Sequence, residues 1–202
     1  MILALDTSLG SAVAVVDPAT GAVLARTERE GARGHAEIIG ELIRDALAAA
    51  SLRPADVAAV AAGIGPGPFT GLRIGIAAAR AFAIGRGVPV VPVVSHDAAA
   101  LDAIEAGDPA PRIVTDARRR EHAVSTYDGL DADGIPVRVS GPALVPVSDS
   151  GDAPLTTRIS GGSVGRLAAR ILAAGRAEPL GEPLYLRAPD AKIPGAVKRV
   201  ST

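Results

Sequence analysis

The order of apolar runs in the first 94 residues constrains the fold of this chain most. Residues 2–5, 12–16 and 22–27 are short stretches rich in Val, Ala and Leu, divided by Ser8-Leu9-Gly10 and by Asp17-Pro18-Ala19-Thr20-Gly21. Runs of this length between such turn residues read as strands of an antiparallel meander. An Ala-rich helical pattern follows over 35–50, and Ser51 with Pro54 ends it. Next come an apolar run at 57–63, a Gly- and Pro-rich loop at 63–71, a second helical pattern over 71–85 and a Val-rich run at 88–94. The predicted order is β-β-β-α-β-α-β.

Three antiparallel strands followed by βα units are the ribonuclease-H-like arrangement of the actin, sugar-kinase and Hsp70 superfamily. The predicted fold class is therefore α/β, actin-like or Hsp70-like (ASKHA), with two ribonuclease-H-like lobes. A weaker second copy is read from candidate strands at 112–116, 121–127, 135–139 and 156–160 and a helix at about 163–174. The boundary is placed in Gly107-Asp108-Pro109-Ala110-Pro111, giving an N-terminal lobe over 1–107 and a reduced C-terminal lobe over 108–202. The Pro-rich stretch from Pro179 to Thr202 reads as an extended tail, packed on the body or partly loose.

Composition removes several mechanisms. A chain of 202 residues with 48% hydrophobic residues can bury its own core without staples. Its net charge of −1 and its four aromatics, Phe69, Phe82, Tyr127 and Tyr185, do not make the basic, base-stacking face of a protein that grips RNA alone. The only lysines are Lys192 and Lys198, so the loops upstream carry none for phosphate binding or Schiff-base chemistry. The lack of cysteine excludes disulfides and thiolate catalysis. The opening Met1-Ile2-Leu3-Ala4-Leu5-Asp6 has neither the basic start nor the apolar length of a leader, and no later stretch is long enough to span a bilayer. A cytoplasmic location without membrane contact is expected.

Both helical patterns carry more apolar surface than one buried stripe needs. Over 35–50, Ile38, Ile39, Leu42, Ile43, Ala46 and Leu47 spread over an arc of roughly 180°, against about 100° for a core-facing stripe. Over 71–85, Leu72, Ile74, Ile76, Ala79, Phe82 and Ile84 point nearly all round, leaving Arg73 and Arg80 as the polar strip. The surplus either packs between the helices and the sheet or forms an exposed face for a partner.

Four segments stand where a nucleotide site could draw its contacts. Asp6-Thr7-Ser8 ends the first strand where actin-like kinases place a phosphate hairpin and a metal-binding carboxylate. Residues 63–71 run from a strand into a helix N-terminus, but Pro66 and Pro68 offer no N–H and no lysine is at hand, so a rigid turn is the better reading. In the second lobe Asp116 is followed by Arg118, Arg119 and Arg120, bulky cations that obstruct a tight phosphate cradle yet could meet an acidic partner or an RNA phosphate. Gly161 and Gly162 read either as a relic of an adenine contact or as a flexible helix entry.

The segment Gly65-Pro66-Gly67-Pro68-Phe69-Thr70-Gly71-Leu72-Arg73-Ile74-Gly75 resembles the signature of the TsaB (YeaZ) family, with Pro68 where that family usually has Ser. The opening Ile2-Leu3-Ala4-Leu5-Asp6-Thr7-Ser8, the turn Asp116-Ala117-Arg118-Arg119, and Pro183-Leu184-Tyr185-Leu186-Arg187 with Ala191 match the same family in order. His122, where the family commonly has Val, and a shortened second lobe are departures. The resemblance implies a non-catalytic scaffold that pairs with a larger paralogue, TsaD. That paralogue carries the metal and transfers threonylcarbamoyl from its adenylate to the adenosine 3′ of the anticodon in ANN-decoding tRNAs. It also implies a small ATPase, TsaE, as a third member, contact with tRNA only through the complex, and self-pairing as an alternative for the free chain.

Family members pair through their first two helices, which assigns Ile38, Ile39, Leu42, Ile43, Leu72, Arg73, Ile76 and Arg80 to the interface. Asp6, Thr7, Ser8, Asp116, Gly161 and Gly162 would be vestiges of a nucleotide site, with weak ATP or ADP binding left open. No metal is expected: His35 is followed four places on by Ile39, so the His-x-x-x-His pair of the catalytic relative is missing. Two other readings stand beside the scaffold. One is an actin-like ATPase or small-molecule kinase using Asp6 and Asp116. The other is a peptidase or chaperone, for which no nucleophile–base pair is visible beyond the sequential Ser95-His96.

Overall fold

The computed structural model describes residues 1–31 and 34–187. Ala191, Lys192 and Lys198 lie outside the described residues. Strands β1 (Ile2–Asp6), β2 (Gly10–Val16) and β3 (Val23–Glu30) form the expected antiparallel meander, with Leu3 opposite Val15 and Ala14 opposite Arg26. Two further strands, β4 (Ala59–Gly63) and β5 (Val90–Val93), add in parallel on the other side of β1. The sheet order is β3-β2-β1-β4-β5, which makes β1 central and buries all five of its residues.

Strand alternation then divides the core. Leu3, Leu5, Val13, Val15 and Val60 point to one face, where α1 (His35–Ala49) and α2 (Phe69–Arg86) cover them. Ile2, Ala4, Ala59 and Ala61 point to the other, beneath α3 (Ser95–Glu105) and α4 (Gly161–Ala173). On that second face α4 approaches β2 closely: a Cβ on Gly161 would stand 3.0 Å from the Val13 carbonyl carbon, and one on Gly165 would overlap the Val16 side chain.

A second sheet of β6 (Arg112–Asp116), β7 (Glu121–Leu130) and β8 (Pro136–Pro146) is an antiparallel meander, and Ala100 of α3 packs with its Ile113 and Tyr127. Two local expectations change here. No strand forms over 156–160; Leu155 makes one parallel bridge to Val114, and the Thr156 N–H donates to the Val114 carbonyl at 2.7 Å. The helix read as part of the second lobe lies instead on the first sheet, because its small and apolar face, Gly161, Val164, Gly165 and Leu167, fits the alanine-rich side of β1, β2 and β4.

Helix α3 has no counterpart in the sequence reading, yet its first turn joins the sheets. Ser95 Oγ donates to Asp6 Oδ2 at 2.6 Å in the first sheet. His96 bridges Ser125 Oγ at 2.8 Å and Thr115 Oγ1 at 3.0 Å in the second. Tyr127 donates to Asp97 Oδ1 at 2.7 Å, and Arg138 pairs with the same carboxylate at 3.1 Å.

Candidate functional site: the glycine-proline loop and the face of the second helix

The end of β1 turns beneath the loop that leads into α2. Ser8 donates to Asp6 Oδ1 through both its backbone N–H, at 2.8 Å, and its hydroxyl, at 2.5 Å, while Ser95 takes Oδ2. Burial raises the Asp6 carboxyl above the ordinary range, and these three donors pull the other way. Thr7 Oγ1 donates to the Gly71 carbonyl at 2.7 Å.

The glycines around this turn are clearances for it. A Cβ on Gly63 would overlap the Asp6 carboxylate, one on Gly67 would lie 2.8 Å from Ser8 Cα, one on Gly71 would lie 2.6 Å from the Thr7 carbonyl oxygen, and one on Gly75 would overlap Thr7 Oγ1. Asp6, Thr7 and Ser8 are 2%, 1% and 1% exposed. The loop is a packed junction, in line with the rigid-turn reading rather than the phosphate-cradle one.

The other vestigial residues do not converge on Asp6. Asp6 lines a cavity of about 250 Å³ with Ser11 and Glu28, whereas Asp116 lines a larger cleft of about 530 Å³. Asp116 Oδ1 accepts the Arg118 N–H at 2.8 Å, and its carboxylate is 3.9 Å from the Arg118 guanidinium. Gly161 and Gly162 are buried, and a Cβ on Gly161 would meet Val13 and Ala14 and one on Gly162 would meet Val23, so both allow α4 to pack closely on the first sheet. Among the described residues no group of three His, Cys, Asp or Glu is placed to hold a metal. No helix among them is long and apolar enough to cross a membrane.

The arginine turn is strained. Arg118, Arg119 and Arg120 have φ of 65°, 56° and 62°, three successive non-glycine residues in the left-handed region. The Glu121 N–H closes the turn onto the Arg118 carbonyl at 3.1 Å, and the Arg120 carbonyl accepts the Val147 N–H at 3.1 Å. Arg118 and Arg119 line the 530 Å³ cleft with Pro66, Pro68 and Leu144.

Sequence spacing could not reveal a Ser–His contact 24 residues apart: Ser11 Oγ and His35 Nδ1 are hydrogen-bonded at 2.6 Å. The pair is buried, at 2% and 5% exposure, and desolvation lowers the His35 imidazole below its ordinary value despite Asp6 and Glu37 nearby. No carboxylate among the described residues hydrogen-bonds His35, so the contact ties the start of α1 to β2 without making a triad.

The helix faces separate the expected interface residues. Ile39, Leu42, Leu72 and Ile76 are 7%, 6%, 0% and 4% exposed, so they belong to the core and are withdrawn from the partner surface. A charge at Leu42 or Ile76 would be buried without a partner and would disrupt the fold itself. Ile38 and Ile43 are half-buried at the flanks of α1, and Arg73 and Arg80 are exposed. On α2 the exposed positions Thr70, Arg73, Ala77, Arg80, Ala81 and Ile84 form one stripe at helical spacing, and Ile84 is 81% exposed.

A five-stranded sheet in the order β3-β2-β1-β4-β5, helices on both faces and a second three-stranded sheet across a cleft define an actin-like α/β protein. Residues 27–143 of the 202 match the TsaD family, tRNA N6-adenosine threonylcarbamoyltransferase. An uncharacterized protein of Mycobacterium tuberculosis is 40% identical over 202 residues, 95% of this chain and 93% of that protein. A tRNA N6-adenosine threonylcarbamoyltransferase of Streptococcus pneumoniae is 44% identical over 77 residues, 38% of this chain and 23% of that enzyme. Among solved structures, YeaZ from Pseudomonas aeruginosa matches with a TM-score of 0.76 at 26% identity, covering 88% of this chain and 94% of that one. An uncharacterized Pseudomonas aeruginosa protein with similarity to peptidase YEAZ matches with a TM-score of 0.79 at 26% identity, covering 92% and 99%. The chain belongs to the TsaD family and, within it, to the YeaZ (TsaB) branch.

Proposed function

We propose that this chain is a cytoplasmic, non-catalytic subunit of the machinery that attaches threonylcarbamoyl to N6 of a tRNA adenosine, and that it acts by pairing with a TsaD-type catalytic subunit. Family membership supports the pathway. The observation that carries the pairing is the outward stripe of α2: Ala77 and Ala81 leave room for another helix to approach, and Ile84 is a large apolar side chain left in solvent. Ile38 and Ile43 of α1 extend the surface, and Arg73 and Arg80 form its polar edge.

The occupied Asp6 supports a subunit without chemistry of its own. Its carboxylate accepts three hydrogen bonds from Ser8 and Ser95 and is 2% exposed, which leaves little access for a metal–nucleotide. We infer no nucleotide or metal cofactor for the chain, a TsaE-type ATPase as a third component, and tRNA contact made through the assembly. In that assembly the arginine turn is the surface we assign to an RNA phosphate or an acidic partner segment.

The test is reconstitution on a tRNA transcript with the TsaD-type paralogue and TsaE-type ATPase of the same organism. Omitting the chain, or replacing it with Ala81→Arg, should lower threonylcarbamoyl incorporation by about 100-fold, the scale of losing an interface hot spot. Asp116→Asn should leave incorporation near wild type. Ala81 is exposed, so the thermal melt of the variant should stay within a few degrees of the parent. Full incorporation without the chain would refute the proposal.

A further inference from the structure

Residues 180–187 cross α2 and the loop before it through contacts made by several different groups. Arg80 Nη2 donates to the carbonyls of Leu180, at 3.4 Å, and Gly181, at 3.0 Å. The Leu184 N–H donates to the Ile64 carbonyl at 2.8 Å. The Tyr185 ring stacks on Phe69 with centroids 4.8 Å apart and planes 27° apart, and its hydroxyl accepts from Arg73 Nε at 2.8 Å. The Arg73 guanidinium lies 3.7 Å from the Phe69 ring centroid. Arg187 pairs with Glu121 of β7.

These contacts have the grammar of peptide recognition. Arg73 and Arg80 stand two helical turns apart, about 10.5 Å along α2. The four to five residues between their partners span about 13–18 Å when extended. The segment therefore has slack to run antiparallel to the helix with a turn in it, the Tyr185 N–H donating to the Pro183 carbonyl at 2.9 Å, while main-chain carbonyls are held at one end and an aromatic ring and a cation at the other. Tyr185, Leu186 and Arg187 also line the 530 Å³ cleft, so the bound segment continues from the helix into a concavity.

The same contacts are shallow. Arg73 and Arg80 are exposed, Gly181 and Glu182 are exposed, and residues 183–187 are only half-buried. Exposed hydrogen bonds of this kind contribute little each, which suits the segment to reversible release. Its anchors, moreover, sit on the α2 stripe with Ala77 and Ala81. Two occupants cannot use Arg73 and Arg80 together.

We propose that the groove along α2 and the 63–71 loop is a peptide-binding site, that residues 180–187 are its tethered ligand, and that they compete there with the TsaD-type subunit. The competition rests on the pairing reading above; the groove does not. Its ligand class is a short segment ending in Leu-Tyr-x-Arg chemistry, with the ring on Phe69 and the cation on Glu121.

Two measurements test the parts separately. A fluorescein-labelled peptide of residues 180–187 should bind a chain truncated after Pro179, by anisotropy, and should bind the full chain at least about tenfold more weakly because the site is filled. The same peptide with Ala at the Tyr185 position should not bind. No binding to the truncated chain overturns the groove. In the second measurement the truncated chain and full-length Tyr185→Ala should each pair with the paralogue about tenfold more tightly than wild type, as expected when a site occupied about nine times in ten is freed. Equal or weaker pairing overturns the competition, as a strap that builds the docking face would weaken it on removal. If neither form pairs, the pairing reading and the competition both fall, and the peptide result still decides the groove.

Discussion

Gly75→Ala should destabilise this protein by about 2 kcal/mol, although alanine is the better helix former by about 1 kcal/mol. Gly75 lies inside α2, and its added Cβ would overlap Thr7 Oγ1 and stand 3.0 Å from Thr7 Cγ2. Thr7 has nowhere to go: it is 1% exposed and its hydroxyl is bonded to the Gly71 carbonyl. Overpacking therefore outweighs propensity, and the melting temperature should fall by about 4–8 °C. Gly85, in the same helix, is exposed with nothing within 4 Å of its Cβ position. Gly85→Ala should accordingly raise stability by up to about 1 kcal/mol. Opposite signs in paired thermal melts are the expected result; a neutral Gly75→Ala would mean that the junction of β1 with α2 is looser than described.

Stability should also fall as the pH drops from 7 to 5, and His96 should be the main cause. Desolvation lowers its pKa to about 3, with Arg138 adding to the effect. In the unfolded chain the imidazole titrates near 6.5, so below that pH the unfolded state binds a proton that the folded state does not. The stability His96 contributes is complete above about pH 6.5 and is lost as the pH falls toward 3. At pH 5 the loss is about 2 kcal/mol, or roughly 4–8 °C in melting temperature. His35, lowered by burial, acts in the same direction. Asp6 and Asp97 act oppositely: burial raises both, so they add stability as the pH falls through their folded values toward 3.8. His96→Gln should flatten the pH dependence of denaturant midpoints between 7 and 5. An unchanged slope in that variant would remove His96 as the cause.

The first sheet was legible because its turns are marked by residues with strong local preferences. Ser8-Leu9-Gly10 and Asp17-Pro18-Ala19-Thr20-Gly21 bracket β2, and the reading of three antiparallel strands followed by βα units matches the observed order. Helix α3 escaped because its apolar positions are mostly alanine, Ala98 to Ala100 and Ala103 beside Leu101 and Ile104, with polar Ser95, His96 and Asp97 in its first turn. Those polar residues look like a loop until Asp6, Thr115, Ser125 and Tyr127 arrive from strands distant in sequence.

Helical spacing also could not say which apolar residues stay outside. An arc of roughly 180° contains the core stripe and its flanks, and only packing assigns Ile39, Leu42, Leu72 and Ile76 to the first and Ile38 and Ile43 to the second. The glycines of the 63–71 loop stood out in sequence, but their reason did not. They clear Asp6, Thr7 and Ser8, which arrive from β1 some 60 residues earlier. Nor does spacing show that Arg73 and Arg80, expected on a partner surface, also hold residues 180–187 in the folded chain.

Static light scattering on a size-exclusion column, with the chain alone and then mixed with its TsaD-type paralogue, tests pairing most directly. A new peak with the summed mass of one chain and one paralogue should form at the expense of the free species and be lost with Ala81→Arg. Two unshifted peaks, each at the mass it has alone, would contradict it.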